Sequence, residues 1–176
     1  MHIDIIKMGD PCLQYIAQKV TDFADETLKQ TIDTMIDTMR FCQGVGLAAP
    51  QIGLSQQIIV LEVNQNIRYP QAEAIALEIL INPNIIHFST QTEKAWEGCL
   101  SLPKLRGNVA RSLEITYEAM DANAQVVRKT VSGFHARIIQ HEIDHLNGIL
   151  YPQRLENLLE FGYEDSLPTF ASKREL

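Results

Sequence analysis

Between positions 25 and 42, Leu28, Ile32, Met35, Ile36 and Met39 recur at helical spacing, with Asp, Lys, Gln and Thr between them. The stripe predicts an amphipathic helix with one face in a core. Asp22 or Asp25 can cap its start, and Gly44 can terminate it. Strand-like runs follow at Ile58 to Val63 and at Ala76 to Ile81, the second halted by Asn82-Pro83. An extended stretch runs from Lys94 to Leu102-Pro103. Leu113 to Met120 and Gln125 to Val131 read as a hairpin about Asp121-Ala122-Asn123-Ala124. A second helix starts near Gly133 or Phe134, carries Ile138, Ile139, His141, Ile143, His145 and Leu146, and ends at Asn147-Gly148. After Pro152 a weak helical patch (Leu155, Leu158, Leu159) leads into a tail. Runs of strands with two separate helices predict an α+β fold.

Composition narrows the classes. A chain of 176 residues, 45% hydrophobic and 21% charged, is ordinary globular material for one domain. Its formal charge of -7 argues against a nucleic-acid ligand, which needs clustered Lys and Arg. Three widely spaced cysteines, Cys12, Cys42 and Cys99, do not make a disulfide framework. There is no apolar run of membrane-spanning length and no signal-like N-terminal pattern, so the expected compartment is the cytoplasm.

The densest chemistry lies on the second helix. His141-Glu142-Ile143-Asp144-His145 is an H-E-x-x-H pattern. Residues four apart share a helix face, so both imidazoles can reach one cation, while Glu142 projects roughly 100° round, as suits a proton carrier. A hydrolytic site needs a third ligand and an open fourth position. The pattern with a third histidine fails, because Tyr151 stands where that histidine would be. Glu160 or Glu164 could serve, although Gly162 and Pro168 leave little room for a helix to present them. Cys99, in Glu97-Gly98-Cys99-Leu100-Ser101, is the better candidate: a thiolate binds borderline cations well, and Gly98 permits close approach. Spacing leaves this choice open. The segment Gly44 to Ala49 fits a G-x-G-x-x-A form, but a helix precedes it and a strand follows, the reverse of a dinucleotide site. Its small residues can instead line a cleft, with the Gln51 amide as a donor to a developing oxyanion.

Together, Gly44-Val45-Gly46-Leu47-Ala48-Ala49-Pro50-Gln51, Glu97-Gly98-Cys99-Leu100-Ser101 and His141-Glu142-Ile143-Asp144-His145 resemble the three signature motifs of the peptide deformylase family, in its order. The resemblance implies antiparallel sheets around a central helix that carries the histidines, in a catalytic domain spanning 1–152, with a C-terminal extension, 153–176, partly helical or flexible. It implies removal of the N-formyl group from the N-terminal formylmethionine of nascent polypeptides, with release of formate. By motif match Cys99, His141 and His145 bind the metal, natively ferrous iron and replaceable by nickel, cobalt or zinc. Glu142 is then the general acid and base, with Gln51 and the Leu100 backbone N–H as oxyanion donors. Val45 and Gly46 would bond the substrate backbone, with Gly98 beside it. Leu100, Ile138 and the His141 ring would wall a methionine pocket. Glu97 would accept from a ligand histidine, and Asp144 would pair with Arg111.

Two features depart from better-known members. Arg137 stands where those members have an apolar pocket residue. The segment from Arg154 to Leu176 holds three Lys/Arg against five Asp/Glu, a net of -2, so a basic ribosome-docking tail is not expected even though work near the ribosome is implied. His135 points roughly 120° away from His141 and is no ligand candidate. Two other classes remain: a metallopeptidase with a downstream Glu ligand, and a metal-storage protein with a closed four-ligand shell and no use for Glu142.

Overall fold

The computed structural model describes residues 2–64 and 72–168. The first amphipathic stripe forms α1 (Glu26–Phe41), started by Asp25, whose carboxylate accepts from the Thr27 N–H at 2.8 Å. Leu28, Ile32, Met35, Ile36 and Met39 are all buried, each contributing about 1.5–3 kcal/mol of burial. The helix ends one residue earlier than Gly44 suggests. Gln43 takes the left-handed conformation (φ 54°), with Gln43 N–H donating to Arg40 and Gly44 N–H to Met39. Gly44 is needed for a different reason: a Cβ there would lie 2.9 Å from Leu100 Cδ1.

Strands β1 (Gly46–Ala48), β2 (Ile58–Val63) and β3 (Ile75–Phe88) follow. The expected break at Asn82-Pro83 does not occur. β3 runs through it with a register shift between Ile81 and Asn84, pairing β2 before the shift. Asn82 adopts φ 52° and uses its side chain to bridge the N–H and C=O of Val20, at 2.9 and 2.8 Å. The bulge is where Pro83 can lack its N–H without breaking the ladder.

The second correction concerns the stretch from Lys94. It is a hairpin, β4 (Thr92–Cys99) turning at Leu100-Ser101 into an eleven-residue β5 (Leu102–Ser112). β5 escaped the sequence reading because its buried positions include two cations, Arg106 and Arg111, on opposite faces of the strand, instead of apolar residues alone. The predicted second hairpin forms as β6 (Glu114–Met120) and β7 (Val126–Ser132). The predicted second helix is α2 (Gly133–Leu146). The patch after Pro152 is not an α-helix. It makes short 3-10 turns, leaves Leu158 and Leu159 exposed, and ends in β8 (Phe161–Tyr163) against β5. Residues 169–176 of the expected extension lie outside the described residues.

Two antiparallel sheets result, one in the order β1-β2-β3-β6-β7 and one in the order β4-β5-β8. α1 packs on one face of the larger sheet, through Ile58, Val60 and Ile81. α2 packs on the other face: Ala136, Ile139 and Leu146 meet Ile59, Leu61, Leu80 and Tyr117. A third core of Leu13, Leu102, Val109 and Tyr151 surrounds Cys99 under the smaller sheet. α2 is therefore central, with one side apolar and the other carrying buried His141, Glu142 and His145. The expected α+β architecture is what the chain adopts.

Candidate metal centre and substrate cleft

The turn after β4 places Cys99 against α2. The ligand atoms of Cys99, His141 and His145 lie within 4.8 Å of one another, and all three residues are buried. Cys99 Sγ is 3.2 Å from His145 Nε2. His141 turns Nδ1 to Glu97 Oε2 at 2.9 Å, which leaves its other ring nitrogen, Nε2, for the Cys99 side. His145 Nδ1 is buried without a hydrogen-bond partner among the described residues. The rival carboxylates are engaged elsewhere: Glu160 with Lys94 and Asn108, Glu164 with Arg106. His135 faces Glu78 at 3.5 Å, away from the centre, as expected.

Glu97 is the hub of the surrounding charges. Arg111 donates to it twice, at 2.9 and 3.0 Å, and Arg137 once, at 2.8 Å. Arg111 also reaches Asp144 at 2.5 Å, the expected pair, and Arg154 caps Asp144 at 2.6 Å. Burial alone would raise the Glu97 carboxyl pKa. The hydrogen bonds and charges of His141 and Arg111 outweigh it and hold the group well below the carboxylate range. Burial also pushes the Cys99 thiol up, yet the charge of His145 and hydrogen bonds from both histidines leave it well below its usual value. One sulfur and two histidine nitrogens make a donor set that suits a borderline divalent cation.

Glu142 lies beside these donors. A Cβ at Gly46 would stand 2.5 Å from Glu142 Oε1, so only glycine lets β1 pass over the carboxylate. Glu142 Oε2 is buried with no hydrogen-bond partner among the described residues. Its pKa is raised, first by burial and then by the negative charges of Cys99 and Glu97, against the lowering effect of the histidines. Gln51 is held in one orientation: its Oε1 accepts from the Ala48 N–H at 2.9 Å, and its Nε2 donates to Cys99 Sγ at 3.4 Å and Ser101 Oγ at 3.3 Å. Leu100 sits at the hairpin turn next to the thiol, but its side chain packs with the α1 core and does not line the cleft.

A small cleft opens beside the donors. Phe134, Arg137, Ile138 and His141, at helical i, i+3, i+4 and i+7 spacing, form one wall with Glu142, and Val45, Trp96, Glu97 and Gly98 form the rest. At Gly98 any Cβ would collide with the Arg106 guanidinium. β1 is an edge strand, so the outer side of Gly46 faces no strand among the described residues. The structure thus gathers Cys99, His141, His145, Glu142, Gln51, Val45, Gly46, Gly98 and Ile138 in one region. Sequence reading missed Trp96, Phe134 and Ser101, and left Arg137 without a role. The stripe leading from Phe134 to His141 was the available signal, but a cation at 137 broke its apolar pattern.

Fold and donor set together define a class: α+β proteins whose H-E-x-x-H helix and one cysteine form a buried site able to hold a metal. The polypeptide deformylase family model matches residues 3–160. Peptide deformylase 1 of Nitrosomonas europaea is 48% identical over 163 residues, covering 93% of each chain, and its Bordetella pertussis counterpart is 47% identical at the same coverage. The Acinetobacter baumannii class I type b peptide deformylase, crystallised with Met-Ala-Ser bound, superposes with a TM-score of 0.85 at 37% identity, covering 88% of this chain and 99% of that one. The Thermotoga maritima peptide deformylase gives 0.81 at 39% identity, covering 89% and 99%. This chain belongs to the peptide deformylase family, metal-dependent hydrolases that remove the N-formyl group from nascent peptides. No described helix is long and apolar enough to cross a membrane.

Proposed function

We propose that Cys99, His141 and His145 hold one divalent cation, ferrous iron natively and nickel, cobalt or zinc by replacement, and that this centre deformylates N-formylmethionyl chains. The observation that carries the reading is the convergence of three buried donors beside a buried Glu142 oxygen that has no hydrogen-bond partner among the described residues. When bound, the cation supplies Lewis acidity, lowering the pKa of an attached water and polarising the formyl oxygen. Glu142 is placed to take a proton from the water that attacks the formyl carbon and to return it to the departing amine. Gln51 Nε2 and the Leu100 N–H donate to the oxygen on which negative charge develops. The C–N bond breaks as the proton from Glu142 reaches the nitrogen, so the amine leaves neutral, and the remaining hydroxyl proton of the former water is lost when formic acid ionises to formate.

The substrate lies extended along the free edge of β1, bonding to Val45 and Gly46, with Gly98 on its other side. Its methionine side chain enters the cleft against Ile138. A relative crystallised with Met-Ala-Ser bound supports a methionine-first peptide as the ligand. The catalytic unit is 1–152, which contains every proposed site residue. The 153–176 extension contributes β8 to the smaller sheet. The protein works in the cytoplasm, close to the ribosome as nascent chains emerge.

The decisive experiment is formate release from a formyl-Met peptide under anaerobic conditions, with metal content measured on the same sample. The Cys99→Ala variant should lose both metal and activity. Full metal retention, or a sulfur edge spectrum without a metal–thiolate feature in the wild type, would remove Cys99 from the ligand set. Gln51→Ala should lower kcat by about 10²–10³-fold with KM little altered, as for a donor used mainly in the transition state. A raised KM with kcat preserved would make Gln51 a ground-state binding residue instead.

A further inference from the structure

Arg137 stands in the wall of a cleft that the reading above assigns to an apolar side chain, yet it is only 7% exposed. Its head makes three hydrogen bonds to the strands, one of them to Glu97 of the same cleft wall. Nη1 donates to Glu97 Oε1 at 2.8 Å and to the Val109 carbonyl at 2.9 Å, and Nη2 donates to the Glu93 carbonyl at 2.6 Å. All three acceptors belong to β4 or β5. With the guanidinium held by the strands, the methylene stem is the apolar surface that the residue can offer the cleft.

The Glu97 contacts give the head a second consequence. Arg111 belongs to β5, the strand paired with β4, and so moves with the same sheet as Glu97. Arg137 and His141 lie one helical turn apart on α2, and Glu97 touches both. Without Arg137, His141 would be the remaining direct contact from Glu97 to α2 shown here, and the carboxylate could pivot about it.

We propose that Arg137 is a positioning and specificity residue of the deformylation site. Its guanidinium docks Glu97 on two successive turns of α2, which fixes the direction of the His141 ring. Its stem forms part of the wall that selects the substrate's first side chain. The second role rests on the reading that this cleft receives that side chain; the first requires only the geometry around Glu97.

The two roles separate by substitution. Arg137→Met removes the head and keeps an unbranched apolar chain, and Glu97 keeps Arg111, so folding is expected to survive. Metal retention against a chelator should fall on the order of 10–100-fold, as for a lost outer partner of a ligand histidine. The His141 Nδ1–H resonance in proton–nitrogen NMR should shift or broaden. The relative use of formyl-Met and formyl-Phe peptides should stay close to wild type. Arg137→Ala should add a relaxed preference, with formyl-Phe gaining about tenfold or more on formyl-Met. Arg137→Lys, which restores one charge and some donors, should recover part of the metal retention. Wild-type retention and an unmoved His141 signal in Arg137→Met would overturn the positioning role. An unchanged side-chain preference in Arg137→Ala would overturn the specificity role. A wild-type protein that releases no formate would refute the proposed function instead, while the retention and NMR measurements still decide the positioning role.

Discussion

Glu142→Ala is expected to keep its metal and lose turnover by about 10²–10⁴-fold, the contribution of a well-placed general acid and base. The reason lies in where the carboxylate sits. It is beside the three donors but outside their cluster, and its Oε2 is buried with no hydrogen-bond partner among the described residues. A buried carboxylate oxygen left unpaired costs stability unless a ligand or water completes it. Its raised pKa places it closer to neutrality than an exposed glutamate, the direction a proton shuttle requires. Gly46→Ala supplies an independent check, because the added Cβ would displace Oε1 while leaving the carboxyl group in the chain. That variant should also lose turnover with its metal retained. Loss of metal in Glu142→Ala, in step with activity, would make Glu142 a structural residue.

Glu97→Gln should destabilise the fold by about 3–5 kcal/mol, because it leaves buried guanidiniums facing a neutral amide. For a domain of this size that corresponds to a fall in Tm on the order of 10 °C. Arg111 and Arg137 are 6% and 7% exposed and cannot recover the lost partner from water. The same contacts predict a pH dependence. The folded pKa of Glu97 is depressed below its unfolded value, so its stabilisation is fully present above the ordinary carboxylate pKa of about 4.3. It is lost as pH falls below that value toward the folded one. Denaturant titrations of the wild type at descending pH should show a slope in this window that Glu97→Gln lacks. Equal stability of the two proteins at neutral pH would show that Glu97 adds no net stability.

The chain alone determined a good deal of this protein, for identifiable physical reasons. The stripe from Leu28 to Met39 specified α1, since a helix with one apolar face must bury it. The spacing of His141 and His145 put two imidazoles on one face of α2, because local helical geometry decides it. The three motifs together pointed to the family and to Cys99, Glu142 and Gln51 before any contact was known. Elsewhere local pattern misled. Asn82-Pro83 reads as a stop, yet a side-chain bridge to Val20 and a bulge carry β3 through it. Arg106 and Arg111 made β5 look unlike a strand, because buried cations are tolerable only where distant carboxylates meet them. Only the tertiary structure could decide that Cys99, and neither Glu160 nor Glu164, joins the histidines, since the choice depends on how a hairpin docks on α2. It alone turned Arg137 from an anomaly in an apolar stripe into a clamp, because the Glu97, Val109 and Glu93 atoms that satisfy its head lie 28 to 44 residues away along the chain. Periodicity records which face of an element is buried, but the partner a buried charge finds there is set by packing between elements.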